Sequence, residues 1–89
     1  MQIHDNLTAS RFETVVDGQL AVLDYRREGN TLFLTHASVP PPIEGRGIAA
    51  ELTKAALESA RENGLRVVAQ CSYVAAYLRR HPEYADLQD

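Results

Sequence analysis

The chain has 89 residues, 45% of them hydrophobic and 24% charged, with a formal net charge of −3. That balance is too apolar for a disordered segment and the chain too short for two cores, so one domain over residues 1–89 is expected, as a monomer or weak homodimer. The charge and the absence of a Lys/Arg run argue against nucleic acid, the single cysteine excludes an internal disulfide, no apolar run nears the roughly 20 residues of a membrane helix, and Met1–Asp5 lacks a signal-peptide plan, so the cytoplasm is the location expected.

Residues 1–10 hold at most a short edge strand near Ile3. Arg11 to Val16 reads as a strand, Asp17-Gly18 as a hairpin turn, and Gln19 to Tyr25 as the returning strand, rich in Leu20, Ala21, Val22, Leu23 and Tyr25. Arg27-Glu28-Gly29-Asn30 supplies a second turn. Thr31 to Val39 is a third strand in which simple alternation predicts Leu32, Leu34, His36 and Ser38 on one side and Phe33, Thr35, Ala37 and Val39 on the other.

A loop stiffened by Pro40, Pro41 and Pro42 then runs through Ile43 and Glu44 into Gly45-Arg46-Gly47, and from there the period changes to about 100° per residue. Ile48, Ala49, Leu52, Ala55, Ala56, Ser59 and Ala60 cover one arc of a helix, while Glu51, Lys54, Glu58, Arg61 and Glu62 fill the other. Asn63-Gly64 ends it with a left-handed stop, Leu65 to Gln70 reads as a buried strand, and strand, crossover helix and strand form a right-handed parallel unit. A shorter helix spans about Ser72 to Arg80 and stops before Pro82, leaving Glu83 to Asp89 as a docked or frayed tail.

Glycines let the backbone approach an anion closely, and the first N–H groups of a helix have no internal acceptor and carry partial positive charge. The Gly45-Arg46-Gly47 turn therefore points to a phosphate-bearing ligand. By itself such a turn is more often a tight connection than a ligand site; its context carries the reading.

Antiparallel meander, proline loop, Gly-x-Gly turn, amphipathic helix, parallel strand and short tyrosine-bearing helix, in that order, resemble the core of the GCN5-related N-acetyltransferases. Their pyrophosphate loop, Gln/Arg-x-x-Gly-x-Gly/Ala, falls on Glu44-Gly45-Arg46-Gly47-Ile48-Ala49, with Glu44 departing at the first position. The resemblance extends to short stand-alone acetyltransferases through Cys71, Tyr73, Tyr77 and His81-Pro82-Glu83-Tyr84. It implies an α/β (α+β) fold in a minimal form, without the helices after the first strand or the two C-terminal strands that shape the acceptor side.

The same resemblance implies acetyl-CoA as co-substrate and no metal. The strand end at Ser38 and Val39 would bond the pantetheine arm, and Gly45, Arg46, Gly47, Ile48 and Ala49 would hold the pyrophosphate beside Glu44. Cys71, Tyr77 and Arg80 complete the expected coenzyme contacts, although Arg79 and Arg80 are explained equally by the dipole of a solvated helix end.

Four residues are candidates for the chemistry. Cys71, at the start of the last helix, is placed where a thiolate is favoured, and is equally a small buried hydrophobe. Tyr77 corresponds to the family's phenol near the coenzyme sulfur, with Tyr73 four residues away on the same helix face; packing is the alternative role for both. His36, mid-strand, has the pKa of a general base at neutral pH or is simply a solvent-facing histidine. The expected reaction is acetyl transfer to a primary amine, such as a lysine of a peptide or protein, by direct attack on the thioester. The competing reading is a non-catalytic acyl-CoA-binding or sensing module, motivated by Glu44 and the lack of an evident general base.

Overall fold

In a computed structural model describing Met1–Asp89, alternation along Arg11–Val16 (β2) and Gln19–Glu28 (β3) pairs Phe12 with Leu23 and Thr14 with Ala21 across an antiparallel ladder. These four are buried, whereas Val15 and Leu20 on the reverse face are exposed. The sheet therefore has one covered and one open face, as antiparallel sheets commonly do. His4–Asn6 (β1) pairs outside β2, supplying the short edge strand expected near Ile3. Thr31–Ser38 (β4) pairs antiparallel with β3, and Arg66–Ala69 (β5) pairs parallel with β4, giving the order β1-β2-β3-β4-β5.

The β2–β3 hairpin turns on Asp17-Gly18, both with positive φ, the mirror-image geometry a two-residue hairpin requires. β3 runs on to Glu28 instead of ending at Tyr25, and the turn into β4 is only Gly29-Asn30.

Simple alternation along β4 fails at Thr35. The register pairs Tyr25 with Leu34 but Asp24 with His36, so Thr35 has no residue opposite, and its hydroxyl donates to the Asp24 carbonyl at 3.1 Å. Such a bulge inserts one residue and reverses the sense of the pleat beyond it. Ala37 consequently lies with buried Leu23 on the covered face, while His36 and Ser38 turn to the open one. The expectation that Leu32, Leu34, His36 and Ser38 share a face holds for the leucines and fails for the other two.

The helix Ile48–Glu62 (α1) covers the closed face of the sheet. Ile48, Leu52, Ala56 and Ala60 of the expected arc are buried, and the structure adds Thr53 and Leu57, both fully enclosed. Thr53 is accommodated because its hydroxyl donates to the Ala49 carbonyl at 2.8 Å. The Ser72–Arg80 helix (α2) buries Val74, Tyr77 and Leu78.

The tail is docked. Pro82–Leu87 forms a 3-10 segment that buries Tyr84 and Leu87, and the Tyr84 hydroxyl donates to Glu58 at 2.6 Å. Arg61 grips both carboxylate oxygens of Asp86 at 2.8 and 3.0 Å, and Asp89 N–H bonds the Val67 carbonyl at 3.1 Å. No helix is long and apolar enough to cross a membrane.

Candidate functional site

β4 and β5 part company at a defined point. Their ladder ends at Leu34 and Ala69, and the Gln70 N–H closes it on the Leu34 carbonyl at 2.9 Å. β4 continues to Ser38, whereas the chain after Gln70 turns away through Cys71 into α2. From Thr35 to Ser38 the edge of β4 towards β5 is thus without a strand partner, and a wedge opens between the two strands. An unpaired edge of this kind offers donors and acceptors to an extended ligand.

The Pro41–Ile43 turn leads from the end of β4 to the head of α1. Ile43 is fully buried and anchors it. Beyond it Gly45 and Gly47 sit at φ +79° and +74°, a region closed to most side chains, and a Cβ built on either would meet no atom of the protein within 4 Å. Glu44 N–H is taken by Pro41 and Glu51 N–H by Gly47, while the N–H groups in between, from Gly45 to Ala50, have no acceptor in the protein. The result is a continuous run of backbone donors at the positive end of a 15-residue helix.

This run opens onto a cleft of about 260 Å³ lined by Val39, Ile43, Glu44, Gly45, Gly47, Ile48, Ala49, Ala50 and Tyr73. The cleft therefore brings together most of the loop residues singled out from sequence and one aromatic from α2. Ile43 and Ala50 are additions. Ile43 was hidden among prolines, and Ala50 follows the motif by one residue; helix geometry identifies it, since it is the last residue of α1 whose N–H lacks an internal acceptor.

The remaining candidates take up other positions. Arg46 lies in the loop but not on the cleft wall; its guanidinium donates to Asp17 at 2.6 Å and to the Pro42 carbonyl at 3.5 Å, tying the loop to the β2–β3 turn. Cys71 is the N-cap of α2, half-buried against the core, with its carbonyl accepting from Ala75 N–H at 3.0 Å. His36 and Ser38 stand on the open face beside the wedge. Arg79 and Arg80 are exposed in the last turn of α2, at the end of the helix away from Cys71.

The two tyrosines differ. Tyr73 is 37% exposed and borders the cleft. Tyr77 is buried, its ring stacked on His81 at 4.0 Å and lying 6.4 Å from Tyr84, so it joins α2 to the docked tail. Burial, and then the charge of Glu83, push the Tyr77 phenol above its ordinary value. The rings of Tyr73 and Tyr77 are 6.5 Å apart. No three His, Cys, Asp or Glu side chains converge in a way that could hold a metal ion.

The geometry can be set beside known proteins. The sequence profile of the GCN5-related N-acetyl-transferases matches residues 11–87. The protein is 40% identical over 63 residues to Protein NATD1 of Xenopus tropicalis, covering 70% of this chain and 58% of that one. The human Protein NATD1 gives the same identity over the same length, with 56% of it covered, so this chain spans little more than half of these relatives. A GCN5-like protein of Staphylococcus aureus, solved in solution by NMR, superposes with a TM-score of 0.78 at 30% identity, over 99% of this chain and 87% of that one.

Proposed function

The chain belongs to the GCN5-related N-acetyltransferase family, and from that premise we propose that it transfers the acetyl group of acetyl-CoA to a primary amine. The observation that carries the reading is the run of unaccepted N–H groups from Gly45 to Ala50, opening onto the cleft at the head of α1. Donors in that arrangement match the oxygens of a pyrophosphate, and the absence of Cβ atoms at Gly45 and Gly47 leaves room for them.

With the pyrophosphate on this cradle, the pantetheine arm lies along the unpaired edge of β4 from Thr35 to Val39, as a short surrogate strand in the wedge. Backbone N–H near Val39 polarises the thioester carbonyl, which is the point where negative charge develops in the tetrahedral intermediate. The amine attacks that carbonyl carbon, the C–S bond breaks, and a nearby acid protonates the departing thiolate. Tyr73 is our choice for this acid because it borders the cleft, with Tyr77 packed behind it and Cys71 at the head of the same helix. A lysine side chain on a peptide or protein suits the site as acceptor, since the face of the sheet that carries His36 is open.

Titration calorimetry with acetyl-CoA, followed by a transfer assay against lysine peptides and small aliphatic amines, tests the proposal. Micromolar binding with acetylated product, slowed in Tyr73→Phe, is expected. No heat and no thermal stabilisation at millimolar coenzyme would sink it. Binding without transfer to any amine would favour the sensing module, the reading that Glu44 on the cleft wall supports.

A further inference from the structure

The segment His81-Pro82-Glu83-Tyr84 lines no part of the donor cleft, yet the structure folds it around a single ring, that of Tyr77. Tyr73, Tyr77 and His81 are spaced by four, so their rings follow one another along one side of α2 and its C-cap. Pro82 bars the helix from continuing, and His81 leaves it at φ −126° and ψ 75°. The chain then doubles back. Glu83 Oε2 lies 3.4 Å from His81 Nδ1, and Tyr84, whose N–H bonds the His81 carbonyl at 3.1 Å, brings its ring within 6.4 Å of Tyr77. The hydrogen bond from the Tyr84 hydroxyl to Glu58 fixes this arrangement to α1.

Tyr77 is held by rings alone. Its hydroxyl has no protein partner, and since no enclosed side-chain oxygen or nitrogen of the molecule lacks one, that hydroxyl keeps contact with solvent while the ring is buried. The nearest ring is His81, stacked at 4.0 Å with 20° between the planes. Tyr73 depends on Tyr77 in turn. No hydrogen bond takes the Tyr73 hydroxyl, and Tyr77 is its one aromatic neighbour, 6.5 Å away on the next turn of α2. A half-open side chain with so little around it would otherwise sample several rotamers.

We propose that His81, steadied by Glu83, is a positioning residue for the cleft tyrosine: it clamps the Tyr77 ring, and Tyr77 sets where the Tyr73 hydroxyl stands. The inference rests on the acetyltransferase reading and deepens it, giving the His81-Pro82-Glu83-Tyr84 segment a role in the chemistry without any contact to coenzyme or amine. A general acid acts only within about 2.6–3.2 Å of the atom it protonates, and a misplacement of about 1 Å is enough to slow a reaction severely. The clamp therefore bears on turnover. It does not bear on the anion cradle, whose donors are backbone groups of another segment, Gly45 to Ala50. Nor does it bear on Cys71, at the opposite end of α2 from His81.

The experiment compares the wild type with His81→Ala, His81→Phe and, as a destabilised control in the sheet core, Phe12→Leu. Each is measured for acetyl transfer to a lysine peptide at saturating acetyl-CoA, for acetyl-CoA affinity by calorimetry, and for the tyrosine ring signals by NMR, with Tyr73→Phe assigning Tyr73. His81→Ala is expected to lower kcat about three- to tenfold, to leave acetyl-CoA affinity within about twofold, and to weaken the cross-peak between the Tyr73 and Tyr77 rings. His81→Phe keeps a flat ring on Tyr77 and should restore most of the rate, while Phe12→Leu should lose stability without losing kcat. Should His81→Ala fail to fold, Glu83→Gln carries the test, since it loosens the imidazole and keeps its ring; a lowered kcat with unchanged coenzyme affinity is again the expected result. Wild-type kcat and unmoved Tyr73 signals in the folded His81 and Glu83 variants, with acetyl-CoA still bound, would overturn the clamp alone and turn attention to Cys71 as the acid. A wild type that binds no acetyl-CoA would overturn the donor site and the catalytic role of the clamp with it.

Discussion

At the scale of single residues, the anion cradle is the best place to measure function because its parts are backbone groups held by glycines. Gly47 has φ +74° and caps α1, so Gly47→Ala forces an alanine into the left-handed region at a cost of about 1 kcal/mol. The new methyl also projects into the space where phosphate oxygens would sit. Acetyl-CoA affinity should fall on the order of tenfold or more by calorimetry, well beyond the loss of stability in urea. Glu44 tests the same site with the opposite sign. It lines the cleft, is exposed, and repels a pyrophosphate through solvent, an effect of about 1 kcal/mol at most. Glu44→Gln should tighten acetyl-CoA about two- to fivefold at low salt, with the gain fading as ionic strength rises. An unchanged affinity would place the phosphates elsewhere. This loop was legible in the sequence because its signals are local: glycines, a proline approach and the start of an apolar helical period. The choice between Tyr73 and Tyr77 was not, because two residues four apart share a helix face, and only the stacking of His81 and the docking of Tyr84 decide which ring is enclosed.

At the scale of elements, the first helix carries the core. Leu57 is fully buried between α1 and the sheet, and replacing it by alanine removes its burial and leaves a cavity, a loss of about 2–5 kcal/mol. For a domain of this size that approaches the whole of the stability, so Leu57→Ala should lower the urea midpoint severely or unfold the chain, whereas exposed Lys54→Ala should stay within about 0.5 kcal/mol. Both helices, the hairpin and the parallel strand could be read from periodicity and stop signals, since these elements obey their own local rules. Two features could not. The bulge at Thr35 is a matter of register between β3 and β4, invisible to a pattern of alternation within one strand, and it decides which face His36 serves. The tail lacks any periodic pattern; it is held by partners distant in sequence, Arg61 on Asp86, Glu58 on Tyr84 and Val67 on Asp89.

At the scale of the molecule, those long-range partners link stability to pH, and the direction differs at the two ends. Arg61 beside Asp86 holds that carboxyl below its usual range, so its contribution is present above about pH 4 and is lost as acid protonates it in the folded state. The alkaline side is carried chiefly by Tyr84 and Tyr25, and Tyr77, raised by burial and then by Glu83, adds to it in the same direction. The hydrogen bond to Glu58, then burial, pushes the Tyr84 phenol up to about 12, and burial, then the bond to Asp5, pushes Tyr25 up to about 12 as well. In the unfolded chain both ionise near pH 10, so between about 10 and 12 the folded state holds more protons than the unfolded one and stability falls with rising pH. The thermal midpoint should therefore fall across that window, and tyrosinate absorbance should show Tyr25 and Tyr84 ionising at higher pH in the folded protein than in urea. Tyr84→Phe separates the tail from the rest. It keeps the ring and its packing but removes the donor to Glu58, so it should lose about 1 kcal/mol at neutral pH and flatten the alkaline decline. A decline of unchanged steepness in that variant would assign the alkaline limb to Tyr25, bonded to Asp5 of β1, and to Tyr77, and not to the docked tail.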